Sequence, residues 1–210
     1  MRKFIKISII ISFFICGIRV FADNGKDCKY TFWEEPYIHP KIIQDLNTWL
    51  SDTGDQVVAI NLIDSQDSNR YFGEIKIRKI PGGYPFVYTE DEENGMFGYQ
   101  YIGKTSSGIY ILYISESEGG GSGVFKSLML ATIEKDKGVY FDENSLKITN
   151  SRERLIIKKL GEISLGDRWS GDLKVERNKL IIGEDTGWFS QQRESKNKYP
   201  KGRVVTIDIK

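Results

Sequence analysis

The residue types that most often carry chemistry are few in this chain and poorly grouped. His39 is the only histidine, so any Ser-His-Asp or Cys-His arrangement would have to use it. It stands in Tyr37-Ile38-His39-Pro40 with no motif around it, at the mouth of an amphipathic segment, where capping or plain exposure accounts for it. The two cysteines are Cys16 and Cys28, and these with one histidine fall short of the ligand sets that hold zinc. Carboxylates are abundant, but Glu34 and Glu35 are neighbours, and neighbours on a strand point to opposite faces. The segments 64–69 and 91–95 are acidic without the spacing of an EF-hand and read as solvated turns. No metal and no cofactor is expected. A hydrolytic pair of carboxylates about 5–10 Å apart would have to be assembled by the fold.

Two loops stand out. The first is Glu118-Gly119-Gly120-Gly121-Ser122-Gly123. Glycine-rich loops can cradle phosphate with their backbone N–H groups, but the phosphate-binding versions open a helix and supply a lysine at a set place. Here Val124-Phe125-Lys126-Ser127-Leu128 follows and reads as a strand, and Val124 stands where a nucleophile elbow needs glycine. A flexible connection is the simpler reading; Gly121 and Ser122 are its candidate binding residues. The second is Leu165-Gly166-Asp167-Arg168-Trp169-Ser170-Gly171-Asp172. Arg168 could fork onto a carboxylate or phosphate, and Trp169 could stack on a sugar ring. A β-turn with an Asp167–Arg168 surface pair and a half-buried Trp169 is the competing and simpler account. Asp185-Thr186-Gly187-Trp188-Phe189 has the same character, which adds Trp188 to the candidates.

The combination of Gly103, Gly119-Gly120-Gly121-Ser122-Gly123-Val124-Phe125 and Leu160-Gly161-Glu162-Ile163-Ser164-Leu165-Gly166-Asp167-Arg168 resembles a pattern in uncharacterised exported bacterial proteins. It covers about residues 99–189. The resemblance implies export and carries no activity, so it lends no catalytic residues.

The elements that must position these loops are mostly strands. One helix is predicted: Pro40 can open it, and Ile42, Ile43, Leu46, Trp49 and Leu50 recur at three- and four-residue spacing up to a stop at Thr53-Gly54. After it come about ten short strands, at 56–63, 71–80, 84–89, 96–103, 109–115, 124–134, 139–141, 155–165, 173–176 and 179–182, with a last one at 203–209. Pro85 suggests an edge position for its strand. Asp136-Lys137-Gly138 reads as a hairpin turn, and Arg177-Asn178 as the link of another hairpin. The links are too short for crossover helices, so antiparallel pairing is expected. The fold expectation is a mostly β, antiparallel sandwich or barrel-like sheet with one N-terminal amphipathic helix.

The first residues indicate destination. Arg2, Lys3 and Lys6 precede a short apolar run over 7–18, and Val20-Phe21-Ala22 offers small residues at the cleavage places. This is the layout of a secretory signal peptide. The run is shorter than a membrane-crossing helix requires. Residues 1–22 are read as the signal and 23–210 as one β-rich domain in the periplasm or outside the cell, with no stable membrane span after cleavage. Loss of Arg2, Lys3, Lys6 and Arg19 from 30 Lys+Arg leaves 26 against 29 Asp+Glu, a net charge of −3. That balance gives no drive toward nucleic acid. Cys28 would remain as a lone thiol, free or paired between chains.

The reading that follows is a non-catalytic binding protein of the cell envelope, an inhibitor or immunity-type protein in its concrete form, with a protein or glycan partner. A carbohydrate- or peptidoglycan-binding module using Trp169 and Trp188 is the first alternative, and a carboxylate-based hydrolase the second. An interaction surface is expected as an exposed apolar patch with a polar rim.

Overall fold

A computed structural model of the chain describes residues 37–47, 57–63, 71, 74–91, 95–117, 120–187 and 201–207. The signal segment 1–22, Cys28, Trp49, Gly119 and Trp188 lie outside the described residues. Among the described residues the protein is mostly β, with antiparallel sheets and one short helix.

Helix α1 (Pro40–Asn47) starts where its chemistry dictates. His39 precedes it and caps it: the Lys41 N–H donates to His39 Nδ1 at 3.2 Å, and the Ile42 N–H to the His39 carbonyl at 2.9 Å. These satisfy first-turn donors that the helix itself cannot. The helix buries Ile42, Ile43 and Leu46 completely, each contributing on the order of 2 kcal/mol of transfer free energy.

The larger sheet has seven strands: β1 (Ala59–Asn61), β2 (Lys76–Arg78), β3 (Phe86–Asp91), β4 (Gly95–Lys104), β5 (Tyr110–Ser117), β6 (Phe125–Asp142) and β7 (Lys147–Asp167). Strands β2 to β7 meander in sequence order, and β1 pairs beside β7, giving the order β1-β7-β6-β5-β4-β3-β2. The smaller sheet is a second meander of β8 (Leu173–Glu176), β9 (Lys179–Ile182) and β10 (Arg203–Thr206). Every pairing is antiparallel. The barrel-like alternative is not met: β1 and β2 are opposite edges of the larger sheet, and no described strand joins them.

The alternation of β5 shows why the sheet has two cores. Tyr110, Leu112 and Ile114 enter a cluster with Ile38, Ile42, Ile43 and Leu46 of the helix region. Ile109, Ile111 and Tyr113, on the opposite face, join a cluster with Leu128, Trp169, Leu180, Ile182 and Ile207. Tyr99 ties the first layer down by donating its hydroxyl to the Ile38 carbonyl at 2.7 Å in a buried setting.

Three sequence expectations need correction. Pro85 does not mark an edge: β3 lies between β2 and β4, and Pro85 sits just ahead of it, where no ladder N–H is required. Asp136-Lys137-Gly138 is not a turn but mid-strand, opposite Arg154, Glu153 and Arg152. The reversal lies at 143–146, where Asp142 accepts from the Asn144 N–H at 3.0 Å and the Ser145 hydroxyl at 2.6 Å. Leu146 there takes φ +54°. Consequently 124–134 and 139–141 are one strand of 18 residues, paired with a β7 of 21. Ser151, Leu160 and Leu165 are the extra residues of β7, placed at the three register shifts, and such bulges sharpen the local twist.

Candidate functional site

The fold brings the two conspicuous loops together. The glycine loop ends at Val124, whose N–H donates to Asp167 Oδ1 at 2.9 Å, while the Arg168 N–H donates to the Val124 carbonyl at 2.7 Å. Asp167 Oδ2 also accepts from Arg168 Nη1 at 2.7 Å. Arg168 sits at φ +52°, the turn conformation that ends β7. Asp167 thus has a structural task, clamping the loop to the end of the β6–β7 ladder. Gly121 and Ser122 lie exposed on the free part of the loop. Downstream, Asp185 Oδ1 accepts from the N–H groups of Ser170 at 2.9 Å and Gly187 at 3.0 Å, latching the 183–187 segment to the same corner.

Trp169 is a correction to the platform reading. It is only 7 % exposed, part of the core with Ile111, Leu128 and Leu180, its ring 6.3 Å from that of Tyr113. The apolar gain of burying so large a side chain outweighs display to a ligand here.

Sequence reasoning passed over a more unusual group beside this corner. Lys126 shares the strand parity of Leu128 and Leu130, so it points to the inner side of the sheet rather than to solvent. Its Nζ donates a hydrogen bond to Ser115 Oγ and stands 5.6 Å from the centroid of the Tyr113 ring. Burial pushes the Lys126 ammonium down to about 8, the Arg78 charge adds to this, and Asp167 opposes it. Burial also raises the Tyr113 phenol to about 12, an effect Arg78 tempers. A lysine in contact with a serine is the pairing of some acyl-transfer enzymes. Ser115, however, is 1 % exposed, and a carbonyl carbon cannot approach its Oγ. The signal in the sequence was the parity of Lys126 within an apolar run.

At the far end of the sheet a cavity of about 450 Å³ is lined by Glu74, Glu90 and Glu116 together with Lys41, Lys76 and Phe97. Glu90 is held by Lys76 at 3.1 Å. Among the described residues, no group of three or more His, Cys, Asp or Glu is placed to hold a metal ion, and no described helix is long and apolar enough to cross a membrane.

Among the described residues, the most exposed apolar surface is elsewhere. β5 pairs with β6 only as far as Ala131, and β1 with β7 only over 156–158. From Lys135 and Leu155 outward, β6 and β7 have no other pairing partner among the described residues and form an arm about 25 Å long at the usual rise per residue. Its tip displays Val139 (72 % exposed), Phe141 (51 %) and Ile148 (71 %) on one face, Tyr140 on the other, and Leu146 (75 %) at the turn. Below the tip, Arg154 meets Asp136 at 2.7 Å and Lys158 meets Glu134 at 3.0 Å. Compared with protein-family models, with curated proteins and with solved structures, the chain matches none.

Proposed function

We propose that this chain is a non-catalytic binding protein exported to the cell envelope, carrying its signal in residues 1–22, and that the β6–β7 arm is its grip on a protein partner. The stacked sheets serve as a sandwich-like scaffold for that arm. The observation that carries the reading is the arm tip: five large apolar side chains, each more than half exposed, on a ribbon with charged residues at its base. A two-stranded ribbon is marginal by itself, and an apolar patch with a polar rim is the usual mark of an interaction surface. An inhibitor or immunity-type protein that seats this tip in an enzyme's cleft is the concrete form.

The arm is poorly suited to pairing edge-to-edge with a second copy. Glu134 and Asp136 share one face, and Lys135 and Lys137 the other. A two-fold antiparallel pairing centred there sets like charges opposite each other, which is destabilising. The partner is therefore read as a different protein. The test is cross-linking capture from envelope extract with wild-type protein and with Phe141→Ser/Ile148→Ser. A partner recovered by the first and lost from the second supports the reading. Equal recovery by both, or no recovery by either, refutes it.

The carboxylate-based hydrolase is kept as a second reading because Glu74, Glu90 and Glu116 line one cavity. Turnover of peptidoglycan fragments that disappears in Glu116→Gln would favour it. The glycan-binding module retains only Trp188 as a candidate platform, Trp169 being buried.

A further inference from the structure

The cavity at the far end of the sheet has a division of charge that the arm reading leaves unused. Its volume, about 450 Å³, lies within the range of about 300–1,000 Å³ that small-molecule sites occupy. Helix α1 packs on β3 and β4, so the cavity is lined from two sides. Lys41 and Gln44 come from the helix; three residues apart, they are neighbours on one helix face. Thr89, Phe97 and Glu116 come from the sheet and line up in one row across β3, β4 and β5. Phe97 belongs to the core beneath α1, so this row is on the face that the helix covers. At the usual strand spacing it spans about 10 Å from Thr89 to Glu116.

Three of the five charges in the lining answer one another. Lys76 Nζ donates to Glu90 Oε2 at 3.1 Å, and its ammonium is held above the ordinary lysine range first by Glu90 and, less strongly, by Glu74. Outside that group the lining carries one charge of each sign, Lys41 on the helix and Glu116 on β5. Lys41 is exposed and Glu116 half-buried. The half-buried Met96 and Thr89 add a thioether and a hydroxyl to the same lining. A plain amine entering here is repelled by Lys41, and a plain acid by Glu116. A molecule carrying both charges meets an opposite one on each side, which is the complementarity that selects a partner.

We propose that this cavity holds a small zwitterion, a free α-amino acid or a short peptide, with its ammonium on Glu116 and its carboxylate on Lys41 and Gln44. Glu116 accepts charge-assisted hydrogen bonds from the ammonium. Lys41 supplies a point charge for the carboxylate, and the Gln44 amide a directed donor. Glu116 is here a charge partner and not an acid or base, and the ligand leaves unchanged. The site is separate from the arm, and the arm reading stands or falls without it.

The experiment is calorimetric titration of the full chain with leucine and with alanyl-leucine, each also in an N-acetylated form that lacks the ammonium and an amidated form that lacks the carboxylate. Binding of leucine assigns a free amino acid, and binding of alanyl-leucine alone a short peptide. Either cap is expected to weaken binding about tenfold, the loss of one charge-assisted hydrogen bond. In Glu116→Gln the penalty for the acetyl cap is expected to vanish while that for the amide cap stays; in Lys41→Gln the reverse is expected. This crossing of variant with ligand reads charge recognition, which a change in folding alone does not reproduce. No heat from either zwitterion at millimolar concentration overturns the proposal, as do capped forms that bind as tightly as the zwitterions or variants that keep both penalties. Release of free leucine from alanyl-leucine overturns it as well, because Glu116 would then be doing hydrolytic work.

Discussion

Replacing Lys126 with methionine tests the electrostatics beside the Asp167–Arg168 corner directly. Lys126 is displaced from 10.5 to about 8, chiefly by burial. Taken at face value, that displacement corresponds to about 3 kcal/mol of penalty for holding the charge in the folded state at pH 7. The side chain is only partly buried, so solvent screening reduces the figure to about 1–2 kcal/mol. The hydrogen bond to Ser115 Oγ, lost in the variant, offsets about 1 kcal/mol of that gain. Lys126→Met should therefore be as stable as wild type or up to about 1 kcal/mol more stable at pH 7. The pH dependence is the sharper readout. Between about 8 and 10.5 the unfolded chain keeps the lysine proton while the folded chain has released it, so wild-type stability rises with pH across that window. Below 8 the penalty is constant. The variant lacks this slope. Urea unfolding of both proteins at pH 7 and pH 10 measures the difference. The wild type should gain on the variant by about 1–2 kcal/mol over that interval. A gap between the two proteins that stays constant with pH would refute the reasoning, because it would mean that Lys126 titrates alike in the folded and unfolded chains.

Other outcomes follow from the same structure. Gly98→Ala places a methyl 2.5 Å from Tyr88 Cβ and 2.6 Å from Phe86 Cζ; an overpacking loss of about 1–3 kcal/mol is expected in denaturant unfolding. Tyr99→Phe removes the donor to the buried Ile38 carbonyl, and should cost about 1–2 kcal/mol, with the extra amide exchange appearing at α1. Tyr101 and Tyr113 are raised to about 12 by burial, so their contribution is complete below pH 10 and is lost as pH climbs through 12; alkaline unfolding should be accompanied by phenolate absorbance. In the arm, Glu134, Asp136 and Asp142 are held below their usual carboxylate range, Glu134 by Lys158, Asp136 by the Lys137 N–H and then Arg154, and Asp142 by Ser145. Their help is present above pH 4 to 5 and fades as pH falls further, so amide exchange in 135–155 should accelerate in acid before exchange in β4 or β5 does.

Much of the architecture was legible because local chemistry and tertiary context agreed. His39-Pro40 and the Ile42, Ile43, Leu46 spacing announced helix α1, and the cap is the His39 imidazole. The β8–β9 hairpin turns at Arg177-Asn178 as the spacing implied, with Arg177 at φ +55°. The long hairpin was less legible. Asp136-Lys137-Gly138 carries turn residues, yet Asp142-Glu143-Asn144-Ser145 does as well, and only the pairing of β6 with β7 over its whole length decides between them. The full depth of Trp169's burial was hidden for a related reason. Gly166 and Gly171 around it signal a turn, but nothing local says that the turn folds over an uncovered apolar face.

The amino-acid sequence on its own determined that the chain is mostly β with antiparallel pairing, since short links and two-residue alternation permit little else. It also determined where the glycine and Asp167-Arg168 loops fall. Only the tertiary structure decided which face each strand buries, because in β5 both faces are covered and the alternation that would have told them apart vanishes. It alone placed the Lys126 ammonium against the Ser115 hydroxyl and the Tyr113 ring. It alone carried Val139, Phe141 and Ile148 past the last neighbouring strand among the described residues, so that side chains with the composition of a core stand exposed.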